Sequence, residues 1–159
     1  MSDSSQQFRH LEQSIEINAA PAEVWALVTD IPRMAQWSPQ VVRSTVKGGV
    51  VKNGATFRNL NRQGPLFWPT SGKVVRFTPN ADFAFRIKEN GTVWSFELAE
   101  NETGGTTVTQ RRELPNGISK VSVGLTKVAF GGQEKFSDRL QDGMAQTLQK
   151  LKDDVEAGH

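Results

Sequence analysis

Hydrophobic and polar positions follow two periods along this chain, and the switches between them mark out its elements. From Phe8 to Asn18, Leu11, Gln13, Ile15 and Ile17 fall on alternate positions, which predicts a half-buried strand. The stretch 18-NAAPAEVWALVTD-30 then changes to helical spacing, with Pro21 suited to a first turn and Val24, Trp25, Leu27 and Val28 forming an apolar stripe. Pro32 opens a second short helical piece, Arg33 to Gln36, which Pro39 ends; Ser38, just before that proline, is expected to be extended.

Alternation returns for the middle of the chain. Candidate strands are 41-VVRSTVK-47, 55-ATFRNLN-61, 72-GKVVRFT-78, 82-DFAFRIK-88, 93-VWSFELA-99 and 106-TTVTQRREL-114. The turn sequences 52-KNGA-55, 79-PNAD-82, 89-ENGT-92 and 101-NETGG-105 separate most of them, and Asn-Gly is a strong hairpin signal. Successive hairpins imply an antiparallel sheet. From Gln133 onward Phe136, Leu140, Met144, Leu148, Leu151 and Val155 recur every three or four residues, predicting a long amphipathic helix after the breaker 131-GG-132. Residues 118–130 fit both periods, with a short helix the preferred reading. Residues 1–7 read as disordered, and 8–157 as a single domain.

The order is strand, two short helices, six strands and a closing helix. At 20-APAEVWALVTDIPRMAQWSP-39 and 139-RLQDGMAQTLQKLK-152 it resembles the START-related SRPBCC superfamily, which includes polyketide cyclase/dehydrase-like and lipid-transfer proteins. The first stretch is similar to that family's P-x-x-V-W-x-x-v-t-D … W-s-P segment and the second to its last helix. The resemblance runs from about Phe8 to Glu156 and marks fold far more specifically than activity. It implies an α+β helix-grip fold: a curved seven-stranded antiparallel sheet around a long C-terminal helix, a hollow between them, and two short helices bracing the gap between strands 1 and 2. Trp37 would then point to the hollow or pack in the core; Trp25 reads as core.

Composition narrows the chemistry. Cys and Tyr are absent, and the only histidines, His10 and His159, lie near the two ends. Triads built on Ser-His-Asp or Cys-His and zinc sites of the His/Cys type therefore have no central imidazole or thiol to use. No cofactor or metal site is expected. With 19 basic against 17 acidic residues and no Lys/Arg block, nucleic acid is not an expected partner. No apolar run nears the roughly 20 residues of a membrane span. The polar start MSDSSQQFRH lacks a signal-peptide core, so a cytoplasmic protein is expected.

Assigning the more apolar strand face inward turns Trp94, Phe96 and Leu98 toward the hollow and Ser95 and Glu97 away from it. It likewise turns Phe83, Phe85 and Ile87 in with Arg86 out, and Val75 and Phe77 in with Arg76 out. Two strands leave the choice open. In one, either Phe57, Asn59 and Asn61 or Arg58 and Leu60 face in; in the other, Val108, Gln110 and Arg112 share a face. An inward Arg112 with Gln110 would suit a carboxylate, enolate or carbonyl; an outward one would be a solvated charge. The stretch 64-GPLFWPTSG-72 reads as a loop whose Leu66, Phe67 and Trp68 either fold back on the protein or form a lip that meets a ligand, a membrane or a partner protein.

The candidate ligand-binding set is accordingly Trp37, Phe57, Arg58, Leu66, Phe67, Trp68, Phe77, Phe85, Trp94, Phe96, Gln110, Arg112, Phe136, Leu140 and Met144, the last three because the resemblance makes the helix stripe one wall of the hollow. A side chain at Gly143 is expected to meet the sheet. The expected function is binding or transport of a hydrophobic small molecule, aromatic, polyketide-like or lipid-like. A polyketide aromatase/cyclase-type enzyme and a ligand-free interaction scaffold are the alternatives. The sequence sets no oligomeric state.

Overall fold

In a computed structural model of the chain, residues 10–89, 91–113 and 133–158 are described. The expectations for residues 1–7, for the start of the first strand, for Leu114, for the 118–130 segment and for the 131–132 breaker lie outside these residues, as does the side chain of Phe136.

Seven strands form one antiparallel sheet in the order β1-β7-β6-β5-β4-β3-β2. They are β1 (His10–Ile17), β2 (Val41–Val46), β3 (Thr56–Gln63), β4 (Leu66–Thr78), β5 (Asp82–Ile87), β6 (Val93–Glu100) and β7 (Thr106–Glu113). The sheet is curved, and α3 (Gln133–Glu156) closes its concave side, packing mainly on β1 and touching β7. This is the helix-grip fold.

The joint between β1 and β2 follows its prolines. Helix α1 (Pro21–Val28) starts on Pro21. Its end is held by the Thr29 hydroxyl, which donates to the Trp25 carbonyl at 2.8 Å. Pro32 lies in a single 3₁₀ turn, Ile31–Arg33, and α2 (Met34–Trp37) follows at once. Ser38 is extended, with φ −82° and ψ 127°, as its place before Pro39 requires. The double break swings α2 against α3. There the Asp154 carboxylate accepts from Arg33 Nε at 3.0 Å and from the Trp37 indole N–H at 3.1 Å. Trp37 is buried, so its polar tip needs such a partner. The proline-broken joint is a clamp on the closing helix.

Three details of the sheet depart from the alternation reading. First, Val74 rather than Val75 faces the core: the register of β4 against β5 slips between Val74 and Arg76, a bulge that leaves Val75 exposed and returns Phe77 to the inner face. Second, Ser95 is on the convex face yet buried, as is its neighbour Ala84. Long side chains roof these small residues. Arg111, beside Ser95, pairs with Glu12 at 2.6 Å and with Glu97, and Arg76 reaches across to Glu113. Third, 66–72 is no loop. It extends β4 to 13 residues, paired with β3 from Gln63–Leu66 onward, so the hairpin turns at Gly64-Pro65. Pairing with β5 begins only at Gly72, which leaves Pro69 on a stretch with a neighbour strand on one side, where its missing N–H is tolerated.

Candidate functional site

The paired registers place the concave side chains in rows. One row runs Val74, Phe85, Trp94, Arg112, Leu11; the next runs Phe77, Phe83, Phe96, Gln110, Gln13. Toward β4 the rows are aromatic. Phe57 meets Phe85 edge-on at 5.1 Å between ring centroids, Phe83 tilts against Phe85 at 5.9 Å, and Trp25 closes the end on Phe77 at 5.2 Å. Together with Ile17, Leu148, Leu151 and Val155 these rings make the main core. Phe57, Phe85, Phe96 and Trp37 belong to it, and the half-buried Phe77 packs against it.

Toward β7 and β1 the character changes. Leu11, Leu140 and Met144 form a separate apolar cluster under the N-terminal half of α3, with Trp94 packed against both clusters. Beside it, Gln110 and Arg112 are buried on the concave face, at 5% and 2% exposure. The Arg112 guanidinium lies 5.9 Å from the centre of the Trp94 ring. Burial away from water lowers its pKa to about 10, which still leaves it a cation at neutral pH. The Gln110 side-chain carbonyl oxygen is buried and accepts no hydrogen bond from any described group. At the rim of this patch α3 is clasped to β1 by Gln13 Nε2 donating to Gln141 Oε1 at 2.7 Å.

A second polar stretch lies on the β2–β4 side. Register turns Phe57, Asn59 and Asn61 inward and sends Arg58 and Leu60 to the convex face, which settles the choice left open by composition. Arg58 therefore lies across the sheet from Gln110 and Arg112. Asn59 accepts from the buried Ser44 hydroxyl at 2.7 Å, while Asn61 donates to Thr70 Oγ1 at 2.9 Å and to the Trp68 carbonyl at 3.2 Å. The hairpin trio divides by parity. Leu66 and Trp68 share the concave face with Asn61, whereas Phe67 is on the convex face, its ring 5.2 Å from the Arg62 guanidinium. The signal that could have fixed both strands was one large aromatic, Phe57, whose burial sets the parity of β3 and, through pairing, of β4.

Gly143 does not face the sheet as expected. A Cβ there would sit 3.5 Å from Pro39 Cγ, at the joint between α2 and β2. Among the described residues no cluster of three or more His, Cys, Asp or Glu side chains lies close enough to hold a metal ion, and no helix is long and apolar enough to cross a membrane.

Residues 9–156 match the family described as polyketide cyclase/dehydrase and lipid transport. The chain belongs to that family. Several solved structures share its fold. The di-domain ARO/CYC StfQ from the steffimycin biosynthetic pathway superposes with a TM-score of 0.75 at 14% identity, covering 96% of this chain and 52% of StfQ, so the chain spans about half of that protein's length. KanY superposes at 0.70 with 16% identity, covering 92% of this chain and 97% of KanY. The Polyketide_cyc-like protein Cgl2372 from Corynebacterium glutamicum is 25% identical, with a TM-score of 0.60 and 94% of each chain covered. Comparison with curated proteins gives no match. Membership in the polyketide cyclase/dehydrase and lipid transport family accords with a concave face dominated by aromatic and aliphatic side chains.

Proposed function

We propose that the protein binds a largely apolar small molecule carrying oxygen substituents, seated against the concave face beneath the N-terminal half of α3. Trp94, Leu140 and Met144 give it apolar walls, and Arg112 and Gln110 hold its oxygens. The observation that carries this reading is the Gln110 carbonyl oxygen, buried with no donor among the described residues, next to a buried guanidinium. A buried acceptor without a partner costs about 1–3 kcal/mol, a cost that a ligand hydroxyl would remove. The guanidinium suits an ionised or strongly polarised oxygen on the same molecule: a carboxylate, an enolate or a ring carbonyl. An aromatic or acyl ligand with adjacent hydroxyl and acidic oxygen functions answers both groups. Leu66 and Trp68 stand farther along the same face as a lip.

Catalysis of the cyclase/dehydrase kind is a second reading, favoured by the same cation. An enolate forming beside Arg112 in an apolar wall would be held by a charge already in place. Turnover of a synthetic β-polyketone that disappears in Arg112→Met would establish it.

The binding reading is tested with two fluorescent probes of similar size, anionic anilinonaphthalene sulfonate and neutral phenylnaphthylamine. Both should bind and alter Trp emission. Arg112→Met should weaken the anionic probe by roughly ten- to hundredfold, the value of a charge-assisted contact of about 1.5–3 kcal/mol, and leave the neutral probe within about threefold. A variant that keeps its circular dichroism and binds both probes as the wild type does would overturn the role given to Arg112. Absence of binding by either probe to the wild type would overturn the site.

A further inference from the structure

Charge is not spread evenly along this chain. Between Asp30 and Asp82 it carries eight Lys and Arg residues and no Asp or Glu, although the whole protein is nearly balanced at 19 against 17. That span holds α2, β2, β3 and β4. Register sends the strand cations to one face: Arg43 lies opposite Leu60, Arg58 between Thr45 and Ser71, and Lys73 between Thr56 and Arg86. Their concave neighbours Phe57, Asn59 and Asn61 are buried, while Arg43, Arg58, Lys73 and Arg86 are exposed on the convex side. None of these four pairs with a carboxylate among the described residues, and neither does Lys47. Of the eight, Arg33 and Arg76 are paired, Arg33 with Asp154 and Arg76, at the end of β4 away from the hairpin, with Asp82 and Glu113; the other ion pairs lie around Arg111 and at the end of α3. The Glu89 carboxylate accepts from the Ser71 backbone N–H at 2.7 Å.

A second observation stands at the end of the same wing. The β3–β4 hairpin projects past the end of β5. Its tip carries Phe67 at 56% exposure and Leu66 at 45%, with Arg62 stacked on the Phe67 ring. Val42 and Leu60, exposed among the cations, add to the apolar surface.

We propose that the convex face of β2–β4, with the β3–β4 hairpin tip leading, docks on an anionic lipid bilayer. A bilayer surface offers a plane of phosphates to an open face of unpaired cations and an apolar layer just beneath for Phe67 and Leu66, without requiring a shaped recess. The depression among Thr45, Lys47, Thr56, Arg58 and Ser71 is open to solvent, so headgroup phosphates can reach its cations. The acidic residues Glu12, Glu97 and Glu113 lie on the β1–β6–β7 part of the convex face, so the field also sets which half of the sheet meets the membrane. Docked this way, the concave lip formed by Leu66 and Trp68 sits at the bilayer surface, where an apolar ligand of the kind proposed above would enter. That last clause rests on the binding reading; the docking itself does not.

The test is flotation of the full chain, free of added ligand, with vesicles of phosphatidylcholine alone or mixed with phosphatidylglycerol. The protein should float with the mixed vesicles at low salt, bind neutral vesicles at least about tenfold more weakly, and detach as salt screens the surface. The double variant Arg43→Glu/Arg58→Glu should lose the mixed-vesicle binding. Lys150→Glu, on an exposed position of α3, serves as a charge-change control and should bind within about twofold of the wild type. Phe67→Ser should weaken binding at every salt concentration, since it removes the apolar rather than the ionic part. No flotation, equal flotation with both vesicle types, or unimpaired binding by the double variant would overturn the proposal. An acidic protein partner would show as absence of vesicle binding. Because no ligand is added, failure here leaves the probe titration of Arg112→Met standing, and failure there leaves this result standing.

Discussion

Gly72→Ala is the smallest change expected to damage the concave wall. Gly72 lies in β4 between Phe57 of β3 and Ile87 of β5, and the Phe57 ring covers it. A Cβ at this position would fall 2.2 Å from Phe57 Cζ and 2.7 Å from each Cε. Non-bonded carbons settle at about 3.5–4.0 Å, so the ring must retreat by roughly 1 Å or more. It has little room to do so: Phe57 is 2% exposed and abuts Phe85, which is itself packed on Phe83. Overpacking of this kind costs about 1–3 kcal/mol, and the lack of an open direction places Gly72→Ala in the upper half of that range. For a chain of this length that is a fall in Tm of roughly 4–12 °C. Urea unfolding followed by far-ultraviolet circular dichroism should be run on the wild type, Gly72→Ala, Phe57→Leu and the double variant. With the ring gone, the alanine should cost much less, giving a coupling of about 1–2 kcal/mol. Wild-type stability for Gly72→Ala, or the same cost with Leu at 57, would refute the ring-over-glycine packing and the pairing of β3 on β4 that it reports.

Three further outcomes are expected. Asp154→Ala should lower stability by about 1–3 kcal/mol, because the buried Trp37 indole loses its acceptor, and Asp154→Asn, which keeps an oxygen there, should lose less in the same urea assay. Gly143→Ala should raise stability by up to about 1 kcal/mol, since the new methyl meets Pro39 at an ordinary contact distance and alanine favours helix, while Gly143→Leu should crowd Pro39 and lower Tm. Hydrogen bonds hold the Glu16 carboxyl below its ordinary 4.5, from Thr107 foremost and then Asn101, and the Asn18 backbone N–H followed by Lys152 does the same for Glu156. A pKa lower in the folded than in the unfolded chain gives stability that is present above pH 4.5 and lost as pH falls through the folded values, so Glu16→Gln should flatten the acid limb of a Tm-against-pH curve.

The fold was legible because its signals are local and repeated. Pro21, Pro32 and Pro39 place the joint, Asn-Gly and Gly-Gly turns separate the strands, and the stripe through Leu148 and Val155 gives the closing helix. The features that escaped depend on contacts between distant residues. A bulge at Val75 keeps Val74 and Phe77 on one face, and no single-strand alternation contains that information. The apolar run 66–68 between two prolines has the composition of a loop, yet Gln63 and Leu66 pair across a two-residue turn and carry it into the sheet. The inward turn of Gln110 and Arg112 was visible only as one of two parities, because Val108 is the single apolar residue in the run 106–113; the burial of Thr106, Val108, Gln110 and Arg112 on one face decides it. The acid-free span from β2 to β4 was in the sequence throughout. A net charge taken over the whole chain averages it away.

The central claim is that a ligand sits against Trp94, Gln110 and Arg112 beneath Met144, and nuclear magnetic resonance tests it most directly. The chain has three methionines, so the methyl spectrum is simple, and Met34, buried in the core beside the α2 clamp, is an internal reference. On titration with anilinonaphthalene sulfonate the account predicts saturable shifts of the Met144 methyl, the Trp94 indole N–H, the Gln110 side-chain amide and the Arg112 Nε–H, with Met34 unmoved. Shifts confined to the 62–68 hairpin, or spread over the convex face while those four signals stay in place, would contradict it.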